Sequence, residues 1–469
     1  MVTPIAFGTD GWRAVVGEDF VPANIERVAQ AFCDLYPQLE KTGQGIAIGY
    51  DRRNQSPEAA ALFAEVVTGN GIPVLLSQDY CPTPCVSWLV KTRGLTAGVM
   101  ITASHNPPKW NGIKFKESTG GAASTDFVRP IEEQIRKNDG MGKKAKRAKF
   151  EENALLTTFN GFGDYLTAIR NLIDIDLIQR QNYRVLIEPL FGAGVGFFPK
   201  LLGKAVEEMH NAHDLNFGGL HPEPIPPYVN EAMERMKKGT YSCCLITDGD
   251  ADRAGAIDEK GNFVTTHEIY SLLIKHAVEN KKLTGTIIKS ISTTQMIDRL
   301  GKKYGCNVVT TPVGFRYISP AMKEPGVLCG GEESGGYAFP YHVPERDGVF
   351  SGLLLLELMA TMKKSLGQLV ADLQRDVGPT TYRRIDTHLT QDQIATARAK
   401  FETLDVPSFD GHRMVKHTTI DGHHFLFDDD AWLLFRASGT EPLVRIYAEA
   451  RTQDHVDAML AFGKKLLGL

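Results

Sequence analysis

Gly45–Ser77, GIAIGYDRRNQSPEAAALFAEVVTGNGIPVLLS, is the segment from which the fold is read. Gly45 to Asp51 (GIAIGYD) is a short apolar run ending in a turn. Ser56-Pro57 opens a helical pattern from Pro57 to Asn70, and Gly71 closes it. Ile72 to Ser77 is apolar again, and so is Ala97 to Thr102. Strand, helix and strand in repetition predict α/β layers.

The same alternation returns twice. Arg184–Glu188, Cys243–Thr247, Thr286–Ser290, Val308–Thr311 and Val327–Gly330 read as strands. Gly196–Met209, Glu268–Glu279 and Thr294–Tyr304 read as helices. Three α/β blocks in series follow, without a strong sequence repeat between them. Beyond residue 377 the pattern changes. Helix-like Gln391–Leu404 and Gln453–Leu467 accompany strand-like His424–Phe427, Trp432–Arg436 and Val444–Ala450, which predicts a smaller α+β domain. Breaks bearing Pro or Gly near 138–142 and 377–380 mark linkers. The expected domains are 1–145, 146–258, 259–376 and 377–469.

Composition narrows the function. At roughly 150 residues per domain, 469 residues make about three domains. A hydrophobic share of 42% and a charged share of 23% exclude a fully disordered or fibrous chain. A net charge of -4 speaks against a protein built to coat nucleic acid. No run approaches the ~18 apolar residues of a membrane span; the most apolar, Leu353–Met362, contains Glu357. MVTPIAFGTDGWR lacks a basic segment followed by an apolar one, so a cytoplasmic protein is expected. The seven cysteines, with no C-x-x-C, fit reduced thiols. The basic run Lys143, Lys144, Lys146, Arg147 and Lys149 lacks interleaved aromatics and reads as a solvated surface.

Four loops carry chemistry. TASHNP (102–107) follows a strand, and a serine at a strand's carboxyl end is a candidate nucleophile. His105 and Lys114 lie close enough in sequence to Ser104 to assist. DGDADR (248–253) alternates three aspartates, Asp248, Asp250 and Asp252. On an extended chain these share one face, and their repulsion calls for a hard divalent ion, Mg²⁺ or Ca²⁺. Glu259 stands at position 12 from Asp248, as in an EF-hand, but Arg253 occupies the position that needs glycine, and a strand precedes the loop. GGEESGG (330–336) offers Glu332 and Ser334 to hydroxyl groups, with His342 and Arg346-Asp347-Gly348 following. RASGTEP (436–442) joins a guanidinium to the hydroxyls and amides of Ser438, Gly439 and Thr440, a set suited to phosphate. Gly192, Gly194 and Gly196 fail the dinucleotide fingerprint because residue 197 is Phe197, and no P-loop is present.

Together with FGTDGWR (7–13), these loops resemble, in order and spacing, the signature segments of the α-D-phosphohexomutase superfamily, from Phe7 to about Ala450. The resemblance implies three similar α/β domains with mixed sheets around a central cleft, plus a smaller α+β C-terminal domain. It implies that Ser104 is a phosphoserine and that Asp248, Asp250 and Asp252 hold Mg²⁺ with the Ser104 phosphate. Arg13, Lys114 and Arg253 would surround the transferring phosphoryl group. Glu332 and Ser334, with Arg346, would contact the sugar. Arg436, Ser438, Gly439 and Thr440 would hold the other phosphate. The implied reaction interconverts hexose 1- and 6-phosphates through a bisphosphate, with glucose 1,6-bisphosphate as activator. Sugar phosphates are the expected partners; a metal-dependent phosphatase and a non-catalytic binding protein are the competing readings. Two positions are departures: the third loop ends in Gly336, where members acting on several sugars often have histidine, and Arg316 replaces the family's frequent lysine. GEESGG looks closer to the glucose-type loop, so a phosphoglucomutase is expected, with mannose and glucosamine phosphates slower.

Overall fold

The computed structural model describes residues 4–149, 153–390, 397, 399–401, 403–437 and 443–468. Its first sheet has six strands in the order Trp12–Val15, Trp110–Lys116, Ala97–Ile101, Ile46–Tyr50, Val74–Ser77, Leu156–Phe159. The strand at Ile46–Tyr50 is parallel to both neighbours, and Trp110–Lys116 is antiparallel to both of its own. Helices Pro22–Leu35 and Ser56–Gly69 cover one face of the sheet, over Ile46 and Ile48, and helix Thr83–Arg93 covers the other, over Ala47, which is why IAIGY reads as an apolar run rather than an alternation.

The second sheet runs Phe263–Val264, Ala254–Ile257, Cys243–Thr247, Val185–Glu188, Val206–Glu208. The third runs Val308–Thr311, Thr286–Ser290, Val327–Gly331, Tyr337–Ala338. Both mix parallel and antiparallel pairs. The fourth is antiparallel, with helix Gln453–Leu467 packed on it. The expected class, three mixed-sheet α/β domains and a smaller α+β domain, is the observed one.

One core runs through the first three domains, from Cys85 and Phe159 through Phe197 and Tyr270 to Leu354 and Leu373. Helix Gly348–Met362 is apolar on every side and lies inside it. Its one carboxylate, Glu357, is matched by His276 Nε2 at 2.9 Å, Lys281 Nζ at 2.7 Å and the Asp174 amide at 2.9 Å. The fourth domain keeps its own core around Phe425, Phe435, Ile446 and Met459. Among the described residues no helix is long and apolar enough to cross a membrane.

Several readings are corrected. The helix expected over Gly196–Met209 is only Phe197–Leu202; Gly203 takes φ +66°, and Val206–Glu208 forms a strand. The first sheet passes the expected boundary at 145, because Leu156–Phe159 pairs with Val74–Ser77. The helix expected over Gln391–Leu404 falls largely outside the described residues. In the basic run, Lys143 pairs with Asp34, and Arg147 with Glu26 and Glu65, so these side chains serve the surface of the first domain.

Candidate active site

Ser104 follows the strand Ala97–Ile101 in the middle of the first sheet. Thr102 Oγ1 donates to Asp51 Oδ2 at 2.6 Å and accepts from the Ser104 amide at 2.8 Å. Ser104 is fully buried and sits at φ +53°, a left-handed conformation uncommon for a residue with a Cβ. In this geometry its Oγ donates to Asp248 Oδ2 at 2.9 Å. The nucleophile loop of the first domain thus meets the acidic loop of the second. Gly249 marks their contact: a Cβ there would stand 2.4 Å from the Ser104 carbonyl oxygen. The glycine run that fails the dinucleotide fingerprint has a packing role at the same place, since a Cβ on Gly192 would fall 2.8 Å from the carbonyl oxygens of Asp248 and Gly249.

Asp248, Asp250 and Asp252 are gathered by a turn, not by the extended chain expected. Ala251 takes φ +56°, and Asp248 Oδ1 accepts the amides of Asp252 and Arg253 at 3.0 and 3.1 Å. One carboxylate oxygen from each of the three lies within 4.8 Å of the others. Asp250 Oδ1 and Asp252 Oδ1 are buried without a protein partner. Buried, unpaired oxygens in an all-carboxylate set fit a hard divalent cation. Burial, reinforced by Asp250 and Asp252, pushes the Asp248 carboxyl well above its ordinary range. Burial would raise Asp250 too, but the Lys114 ammonium and the hydrogen bonds from Lys114 and Thr83 outweigh it and hold that carboxylate low. Glu259 takes no part: it accepts from Ser365 Oγ at 2.6 Å and the Gly367 amide at 3.0 Å.

The cations converge on this point. Lys114 Nζ lies 2.8 Å from a carboxylate oxygen of each of Asp10, Asp250 and Asp252. Arg13 pairs across the sheet with Gly112, two residues before Lys114, and its Nη1 donates to Asn106 Oδ1 at 2.6 Å. Arg253 Nη1 lies 3.7 Å from Glu223, and its Nε has no hydrogen-bond partner. His105 is half-buried with an unpartnered Nδ1. Burial, helped by Arg253, Arg13, Lys114 and Arg53, holds its pKa well below the usual imidazole range.

Glu332 and Ser334 stand in the turn after Val327–Gly331, where Gly335 takes φ +91°. Ser334 Oγ is unpartnered. Arg346 is 2% exposed and spans four carboxylates: Asp252 at 2.7 Å, Glu332 at 3.1 Å, Glu345 at 3.2 Å, and Asp10. It accounts for Gly336, since a Cβ there would stand 2.2 Å from Arg346 Cδ, leaving no room for a histidine at this position. Arg316 Nη1 donates to the Gly8 carbonyl at 3.0 Å. His342 is absorbed structurally, donating to Asp347, the N-cap of helix Gly348–Met362. Arg436 Nε donates to Asp421 at 2.8 Å, and Asp421 also accepts the Val313 amide of the third domain. Ser438, Gly439 and Thr440 lie outside the described residues.

Reading by motif misses three contributors. Asp10 sits inside FGTDGWR, a signal at hand. Thr83, whose Oγ1 donates to Asp250 at 2.5 Å, lies in the C-P-T-P-C segment, where the thiols draw the eye. Arg53, which donates to the Ser104 carbonyl, has no sequence signal at all.

The geometry agrees with the comparisons. Models of phosphoglucomutase/phosphomannomutase alpha/beta/alpha domains I, II and III match residues 4–142, 163–261 and 265–377, and the C-terminal domain model matches 392–462. A Thermococcus kodakarensis phosphoglucomutase/phosphomannomutase is 30% identical over 464 residues, covering 98% of each chain. A Sulfurisphaera tokodaii phosphoglucosamine/phosphogalactosamine mutase is 30% identical over 470 residues, again 98% of each. A phosphomannomutase-type crystal structure from Thermus thermophilus superposes over the full length of both chains with TM-score 0.86 and 31% identity. With all four domain models matched in order, and a serine, three aspartates and a converging set of cations in one buried site, the chain belongs to the phosphoglucomutase/phosphomannomutase family of the α-D-phosphohexomutase superfamily, a family of mutase enzymes.

Proposed function

We propose that the protein interconverts hexose 1-phosphate and 6-phosphate, with glucose phosphate the preferred substrate. The observation that carries this reading is the contact of Ser104 Oγ with Asp248, beside two unpaired carboxylate oxygens and within a cage of cations. Asp248, Asp250 and Asp252, with the phosphate on Ser104, would hold Mg²⁺, which when bound supplies charge neutralisation at the phosphoryl group.

In this mechanism phospho-Ser104 meets the free hydroxyl of a sugar monophosphate. The Ser104 O–P bond breaks as a sugar O–P bond forms, and the hydroxyl proton passes to a neutral base, for which His105 is the candidate. The 1,6-bisphosphate turns over in the cleft, and its other phosphoryl group returns to Ser104. Phosphoryl transfer asks chiefly for positioning and charge. Arg13, Lys114 and Arg253 supply the charge. Glu332 and Ser334 orient the ring, while Arg346 holds Glu332 and Asp252 in register from behind. Arg436, Ser438, Gly439 and Thr440 clamp the non-transferring phosphate.

GEESGG supports glucose. The glucosamine phosphates named for archaeal relatives support a second reading by the same mechanism. A coupled assay on glucose 1-phosphate, with Mg²⁺ and a trace of glucose 1,6-bisphosphate, tests the proposal. Absence of turnover on glucose, mannose and glucosamine phosphates would refute it.

A further inference from the structure

Arg53 is 1% exposed, and its guanidinium is spent almost wholly on main-chain carbonyls. Nη2 donates to the carbonyl oxygens of Ser104 at 2.5 Å and Asn106 at 2.7 Å. Nη1 donates to those of Pro107 and Trp110, each at 3.0 Å. Nε faces Asp51 Oδ2 at 3.2 Å. Asp51 in turn accepts from Thr102 Oγ1, Ser56 Oγ at 2.8 Å and the Arg53 amide at 3.0 Å. From the second domain, the Phe217 ring lies 5.1 Å from the guanidinium carbon.

The need for this group follows from the loop. Ser104 has positive φ, and Pro107 and Pro108 bring no amide hydrogen, so the segment pairs few of its own carbonyls: that of Pro107 takes the Trp110 amide, whereas those of Ser104 and Asn106 look to a side chain. Four acceptors facing one point require a forked, multiply donating cation. A guanidinium offers five donors in a plane, whereas an ammonium is a compact point charge with three. We infer that Arg53 is a positioning residue for the nucleophile: gripping four carbonyls, it holds Ser104 in the conformation that aims its Oγ at Asp248. The inference rests on the mutase reading for its kinetic consequence, though not for its structural one. The chemical step depends on Arg53; capture of the sugar phosphate, made by other loops, does not.

The test compares Arg53→Lys, Arg53→Ala and the neighbouring control Arg52→Ala. Arg52 is also buried, but its guanidinium donates to the Asn211 carbonyl at 3.2 Å and lies over the Tyr80 ring. Arg53→Lys keeps the charge beside Asp51 and loses the fork. It should lose about 100-fold in kcat, the scale of a misplaced reacting group, with KM within about threefold of wild type. Amide hydrogen exchange across residues 103–111 should rise about tenfold or more while exchange in the second and third domains stays as in wild type. Millimolar guanidinium should restore part of the kcat of Arg53→Ala. Arg52→Ala should resemble wild type in kcat and in exchange of the loop. Wild-type kcat in Arg53→Lys, a loss confined to KM, or unchanged exchange over 103–111 would overturn the inference. If Arg53→Ala does not fold, Arg53→Lys carries the test. If the wild-type protein turns over no hexose phosphate, the mutase reading falls, and the exchange measurement still decides whether Arg53 orders the loop.

Discussion

Replacing Lys114 by Met removes one buried ammonium and leaves three carboxylates facing one another. Lys114 is 1% exposed and belongs to the first sheet; Asp250 and Asp252 belong to the second domain, so the cation also joins the two. At an effective dielectric near 20, each 2.8 Å contact is worth about 6 kcal/mol gross, most of it cancelled by the desolvation of the ions. The net cost of breaking such a cluster from one side is about 3–5 kcal/mol. For the first two domains this corresponds to a fall in Tm on the order of 10 °C. Calorimetry in EDTA at pH 7 is the assay.

Two further readouts separate this cause from a general packing defect. Excess Mg²⁺ should recover part of the loss, because a cation again sits among the carboxylates. The pH dependence has a definite sign. In the wild type, Lys114 is raised above 10.5, so its contribution is complete at any pH below that value. Burial would raise Asp10 and Asp250, but Lys114, joined at Asp10 by Arg346, Lys116 and Arg13, holds both below 3.8, so their contribution is present above about pH 4 and is lost only in stronger acid. Without Lys114, burial would lift Asp250 above its unfolded value, while Arg346 still faces Asp10; the penalty fades as protons bind. The gap between wild type and Lys114→Met should therefore narrow from pH 7 to pH 5. A Tm change under about 2 °C in EDTA, or a gap that widens with acid, would refute the reasoning.

Ser104→Ala should stay folded, carry no phosphate by mass spectrometry and lose nearly all turnover; wild-type turnover would rule out a covalent mechanism. Asp250→Asn removes one of three negative charges and should weaken Mg²⁺ binding, seen as a higher Mg²⁺ concentration for half-maximal activity. Arg436→Ala should raise KM in both reaction directions with a smaller effect on Tm, and an unchanged KM would make that loop structural. An unpaired carboxylate facing the wrong epimer costs about 1–3 kcal/mol, so kcat/KM on glucose phosphate should exceed that on mannose or glucosamine phosphate by roughly tenfold or more. A preference for either rival would refute the sugar assignment and leave the mutase mechanism standing.

Much was legible in the sequence because it is local. Apolar runs broken by Gly and Pro expose the α/β repeats, since a strand covered by helices on both sides has no polar face to show. The chemistry-bearing loops are contiguous, so Ser104, the three aspartates and Arg436 announce themselves as short strings. Local pattern fails where the cause is distant. The strand Val206–Glu208 looks helical in sequence, because the apolar spacing continues across a glycine whose positive φ ends the helix. The strand Leu156–Phe159 is recognisable only from its neighbour at Val74–Ser77.

By itself, then, the sequence determined the architecture and the family, and it offered a set of candidate reactive groups. It did not determine how they are held. That Lys114, shared with Asp10, neutralises the acidic loop, that Thr83 reaches Asp250, and that Arg346 excludes a side chain at Gly336 are contacts between residues ten to well over a hundred positions apart. Buried carboxylates can stay charged only beside buried cations, and buried carbonyls need donors. Which residues answer those needs depends on the elements that packing brings together, and so it was the tertiary structure that decided the places of Lys114, Arg346 and Arg53.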